Sequence, residues 1–104
     1  MLASNYDIFV DHAANNKMFG HIRFLARVSV PAARRLRVAL QQSIDDLKIN
    51  PERFPPYISN TNVTAELRYN LCDKRYRIVF EIIENTVFVY DIQDCRQDNN
   101  KNFV

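Results

Sequence analysis

Arg68, Arg77 and Arg96 stand in or just beyond stretches whose apolar residues alternate. Alternation at period two marks half-buried strands, so an arginine set between apolar neighbours points away from whatever the strand covers. Guanidinium groups held on a sheet suit one chemistry in particular. Their planar forks match phosphate oxygens. The stretch ELRYNLCDKRYRIVF, residues 66–80, concentrates the pattern, with four of the chain's 14 Lys and Arg residues beside apolar residues that have a core to fill.

Other reactive side chains form weaker constellations. His12 and His21 share no helical face with a third ligand, and Cys72 and Cys95 lack the CxxC or Cys/His spacing of a zinc site. Asp91 and Asp94 fall on opposite faces of one strand, which suits solvated or ion-paired carboxylates better than a metal nuclease. No metal and no cofactor are expected, and both cysteines read as reduced structural thiols.

The elements that position these residues follow from periodicity. YDIFV, residues 6–10, alternates as a short edge or joining strand. From about 12 to 27, Ala14, Met18, Ile22 and Leu25 recur at helical spacing. Ser29 then caps a second helix with Pro31 in its first turn, and Leu36, Leu40, Ile44 and Leu47 form its apolar stripe. That helix ends near NPERFPP, because Pro51 disfavours helical geometry at Asn50. Strands over about 63–71, 76–83 and 86–93 complete the chain. The fold class is α+β: an N-terminal strand, an antiparallel helical hairpin and a three-stranded antiparallel meander in one sheet.

A loop over Cys72–Arg75 sets Leu71 opposite Tyr76, Tyr69 opposite Ile78 and Leu67 opposite Phe80. A turn at Glu84-Asn85, with Asn85 suited to positive φ, sets Ile82 opposite Val87 and Phe80 opposite Val89. The face so built is apolar and takes the helices. The other face carries Glu66, Arg68, Asn70, Arg77, Val79, Phe88, Tyr90, Ile92 and, where extended geometry persists, Arg96, with Lys74 and Arg75 at the turn. Arginines interleaved with Phe88, Tyr90 and Ile92 offer cations for phosphates and flat apolar surface for a base or a partner segment.

In order and spacing, HIRFLARVS, NPERFP, RYRIVFEI, TVFVYDI and DCRQD resemble the RelE/ParE superfamily, the toxic halves of bacterial type II toxin-antitoxin modules. The resemblance spans almost the whole chain and implies a cognate antitoxin, with operator DNA reached only through it. It also implies one of two targets: messenger RNA, cleaved on the ribosome by RelE-like members, or DNA gyrase, poisoned by ParE-like ones. In the RNA-cleaving branch the matching positions are Arg77 and Arg96 at the scissile phosphate, with Arg68 beside them. That branch often carries a tyrosine, histidine, glutamate or lysine beyond the last strand, where this chain has QDNNKNFV with Lys101 and Phe103. An inactive relative acting as a binding or co-repressor module is the third reading.

The bulk numbers agree with a small globular protein. At 104 residues, 47% hydrophobic and 25% charged, the chain reads as one domain over residues 1–104. Its net charge of +2 excludes nothing, because the placement of charge decides what a face binds. Asp7 and Asp11 interrupt any signal-peptide pattern and no apolar run reaches membrane-spanning length, so a cytoplasmic protein with no membrane partner is expected.

Overall fold

A computed structural model describes residues 5–58 and 65–96. In chain order the elements are β1 (Asp7–Val10), α1 (His12–Ala26), α2 (Val30–Asp45), 3-10 turns at Asp46–Lys48 and Pro51–Arg53, β2 (Leu67–Cys72), β3 (Tyr76–Ile83) and β4 (Thr86–Asp94). The sheet order is β1-β4-β3-β2, with β1 parallel to β4 and the other pairs antiparallel. The expected α+β order of strand, helical hairpin and meander is the observed one. Residues 63 and 64 of the strand expected over about 63–71 lie outside the described residues, and β2 begins at Leu67.

Local chemistry sets the helix ends. The Asp11 carboxylate accepts from the Ala13 amide at 3.1 Å, and the Ser29 hydroxyl accepts from the Ala32 amide at 3.1 Å, each satisfying a first-turn donor. Asn50, held before Pro51, takes left-handed geometry with φ 48, so the chain turns away from the helix there. Leu36, Leu40, Ile44 and Leu47 then pack with Ala14 against Tyr76, Ile78, Phe80, Val87 and Val89, while Met18, Ile22 and Leu25 close the edge of this core. Both stripes read from the sequence face the core, that of α2 buried and that of α1 partly so beyond Ala14. Leu40, Leu47, Ile78 and Phe80 are fully buried, each stabilising the fold by on the order of 2 kcal/mol.

The β2–β3 register differs from expectation by one residue. Cys72 pairs with Tyr76, Asn70 with Ile78 and Arg68 with Phe80. The loop is Asp73–Arg75 rather than Cys72–Arg75, because Asp73 and Lys74 both adopt positive φ, 56 and 57, and reverse the chain one residue sooner. A one-residue slip exchanges the faces of the whole strand. Arg68 and Asn70 therefore face the helices, and Leu67, Tyr69 and Leu71 lie on the outer side. Polar residues are tolerated on the helix side because they reach backbone acceptors: Arg68 Nη1 donates to the Phe54 carbonyl at 2.7 Å, and Asn70 Nδ2 to the Ser43 carbonyl in the last turn of α2 at 2.9 Å.

The β3–β4 pairing begins as expected, with Ile82 opposite Val87 and Phe80 opposite Val89. Positive φ falls on Glu84 (54) rather than on Asn85. Between Val79 and Phe80 the register then shifts, because Tyr90 is an extra residue on β4, and from there Val79 faces Asp91 and Ile78 faces Ile92. A bulge inverts the alternation beyond it. Ile92 is thus part of the core and fully buried, not part of an open partner surface. Asp91 and Asp94 keep opposite faces.

Candidate functional site

β1 covers β4 only as far as the Val10–Val89 pair, so from Tyr90 onward that edge of β4 has no strand beside it among the described residues. α1 runs along the uncovered edge. His21 Nε2 lies 2.7 Å from the Ile92 carbonyl, and Lys17 Nζ lies 2.7 Å from the fully buried Asp91 carboxylate. A carbonyl only accepts, so this contact places the proton of the neutral ring on Nε2 and leaves Nδ1 as the acceptor nitrogen.

Lys17, Gly20, His21 and Phe24 form one helical stripe that lines a cleft of about 770 Å³ with Arg75, Tyr76, Asp94 and Arg96. Asp94 sits between two arginines: Arg75 Nη2 approaches it at 3.1 Å, Arg96 Nε at 3.6 Å and the Arg96 amide at 3.0 Å. The Arg75 guanidinium also lies 4.9 Å above the Tyr76 ring. Burial raises the Tyr76 hydroxyl pKa, and the positive charge of Arg75 opposes that rise. Three cations, Lys17, Arg75 and Arg96, line the cleft against one carboxylate, Asp94, so it suits anionic or polar groups.

The outer side of the sheet is built differently. Arg77, opposite Leu71 and Gln93, holds its guanidinium carbon 5.8 Å from the centre of the Tyr57 ring, and its Nε is buried with no hydrogen-bond partner among the described residues. Gln93 Nε2 lies 2.9 Å from the Tyr57 hydroxyl and 3.0 Å from Asp91. Nearer β1, Phe9 lies 5.7 Å from Phe88, which stacks on Tyr90 at 6.5 Å. The Tyr90 hydroxyl donates to Glu81 at 2.7 Å, and burial together with that carboxylate pushes its pKa up to about 12.

The residues singled out in the sequence are therefore distributed rather than gathered. Arg77 lies on the outer side over Tyr57, Arg68 faces the helices and is bonded to Phe54, and Arg96 lies 65% exposed at the mouth of the helix-side cleft. Phe88 and Tyr90 do share the outer side, whereas Ile92 does not. Lys74 is exposed on its turn, and Arg75 is drawn to Asp94. Lys101 and Phe103 lie outside the described residues. Stabilising a phosphorane-like transition state requires donors about 3 Å from its oxygens, and Arg68, Arg77 and Arg96 do not converge on such a point.

The sequence reading missed Lys17 and His21 as site residues. Their signal was present in the i, i+3, i+4, i+7 spacing of Lys17, Gly20, His21 and Phe24, combined with a first strand much shorter than the last. A helix following so short a strand must cross the remaining edge of its longer neighbour. No described helix is long and apolar enough to cross a membrane.

Comparison with known families matches residues 8–99 to the model described as the ParE toxin of type II toxin-antitoxin system, parDE. No curated protein matches the chain.

Proposed function

The chain belongs to the ParE toxin family of type II toxin-antitoxin systems, and from that premise we propose that it poisons DNA gyrase by binding, in the cytoplasm, rather than by cleaving RNA. The family lies within the superfamily that the sequence resembles, and membership implies an antitoxin partner. The observation that carries the choice of target is the separation of Arg68, Arg77 and Arg96. Without convergence, the phosphate clamp expected of an RNA-cleaving relative is not assembled. The antitoxin fits the outer aromatic strip of Phe88 and Tyr90, continued by Phe9, which is 54% exposed.

One observation favours a second reading. His21 shares its cleft with Arg75 and Arg96, a combination able to move a proton beside a phosphate. The test is expression of the chain without its antitoxin, following gyrase-linked DNA breaks and plasmid supercoiling alongside primer extension on a new messenger. Trapped breaks with intact messenger are the expected result. Discrete messenger cuts that vanish in His21→Gln would replace the gyrase reading with a ribonuclease, and neither signal would leave a binding module.

A further inference from the structure

From His12 to Ile44, which spans α1 and nearly all of α2, the chain contains Lys17, Arg23, Arg27, Arg34, Arg35 and Arg37 and not one Asp or Glu. The rest of the chain carries the other eight Lys and Arg residues against all 12 acidic ones. The modest net charge of +2 thus conceals a strongly basic helical hairpin attached to an acidic remainder. Soluble helices ordinarily mix signs along their exposed faces, because pairs at i and i+4 stabilise them and like charges at that spacing do not.

Here the arginines are exposed, and none of Arg23, Arg27, Arg34, Arg35 and Arg37 is ion-paired among the described residues. Arg34 and Arg37 line a shallow groove along α2 with Val38, Gln41 and Gln42, opposite the buried stripe of Leu36, Leu40 and Ile44, and Asp45 closes its C-terminal end. The charge on α2 also runs against the helix dipole: the arginines lie in its N-terminal half, and Asp45 and Asp46 lie at its C-terminal end. Neither feature serves the stability of the free chain.

We propose that this outer face of the hairpin binds the phosphate backbone of duplex DNA. The exposed cations Arg23, Arg27, Arg34, Arg35 and Arg37 are all arginine, whose fork matches phosphate oxygens, and a run of one sign from His12 to Ile44 fits a uniformly charged polyanion better than a protein face of mixed sign. The identification of that polyanion as duplex DNA rests on the gyrase reading, since gyrase acts on duplex DNA. Phosphate contacts carry no base information, so the face supplies sequence-independent grip and leaves operator choice to the antitoxin.

The experiment measures binding of the purified full chain to a fluorescent random-sequence duplex across a salt series, by anisotropy. Each phosphate neutralised contributes a slope of about −0.9 to log K against log salt. The Arg34→Gln/Arg35→Gln/Arg37→Gln variant should flatten the slope by about 3 and weaken binding at low salt, with an unchanged circular dichroism spectrum because the three side chains lie off the core stripe. A duplex that fails to bind at low salt, or a variant with an unaltered slope, overturns the proposal. Loss of gyrase association in the variant, when the wild type does not bind DNA, would assign the face to an acidic protein surface instead. The two readings fail separately: DNA binding without trapped gyrase breaks refutes only the gyrase target, and trapped breaks without DNA binding refute only this face.

Discussion

Arg77 and Arg96 lie on opposite sides of the sheet, Arg77 over the Tyr57 ring and Arg96 beside Asp94 at the cleft against α1. β3 and β4 stand between them, so no single phosphate can meet both guanidinium groups. Expressed alone, the chain should leave a newly made messenger intact, and the Arg77→Ala/Arg96→Ala variant should give the same primer-extension ladder. Wild-type cuts that disappear in the double variant would show that the two arginines do act together.

Lys17 and Asp91 form an ion pair at 2.7 Å in which Asp91 is fully buried. Removing the cation strands a carboxylate that other hydrogen bonds only partly satisfy. Lys17→Met should lower stability by about 3 kcal/mol in urea unfolding. Asp91→Asn should cost less, because its side chain can still accept from Gln93. Equal midpoints for wild type and Lys17→Met would mean that the pair contributes nothing.

Arg68 is structural in this fold, since its guanidinium donates to the Phe54 carbonyl. Arg68→Ala should destabilise by about 2 kcal/mol, the typical cost of losing a charge-assisted hydrogen bond, and leave toxicity per folded molecule unchanged. Full stability with abolished toxicity would reverse that assignment.

Tyr90 supplies the pH dependence. Its pKa is raised from 10.0 to about 12 by burial and by Glu81, so the folded state favours the protonated phenol. The corresponding stabilisation is fully present below pH 10 and lost as pH rises from 10 toward 12. Urea midpoints measured at pH 8, 10 and 11 should fall more steeply for wild type than for Tyr90→Phe. Parallel curves would remove Tyr90 from the account.

Gly20 lies within α1, and a Cβ built there meets nothing within 4 Å. Gly20→Ala should therefore stabilise the chain by about 0.8 kcal/mol through helix propensity alone. A lower melting temperature would show that the position is closed to a methyl group.

The helices and their buried faces were legible in the chain because their information is local. Ser29, Pro31 and the Leu36–Leu40–Ile44–Leu47 stripe need no distant partner to be read. Element order and the Ile82–Val87 and Phe80–Val89 pairs were likewise set by alternation and turn length. The side of the sheet that each functional residue occupies was decided elsewhere. Positive φ at Asp73 and Lys74 shortened one loop by a residue, and the extra Tyr90 on β4 inverted the strand beyond it, so Arg68 turned toward the helices and Ile92 entered the core. Both are single-residue events in a structure with period two, where one position reverses every side chain that follows. The cleft of Lys17, His21, Arg75 and Arg96 joins residues far apart in the chain, and only the packing of α1 along the open edge of β4 brings them together.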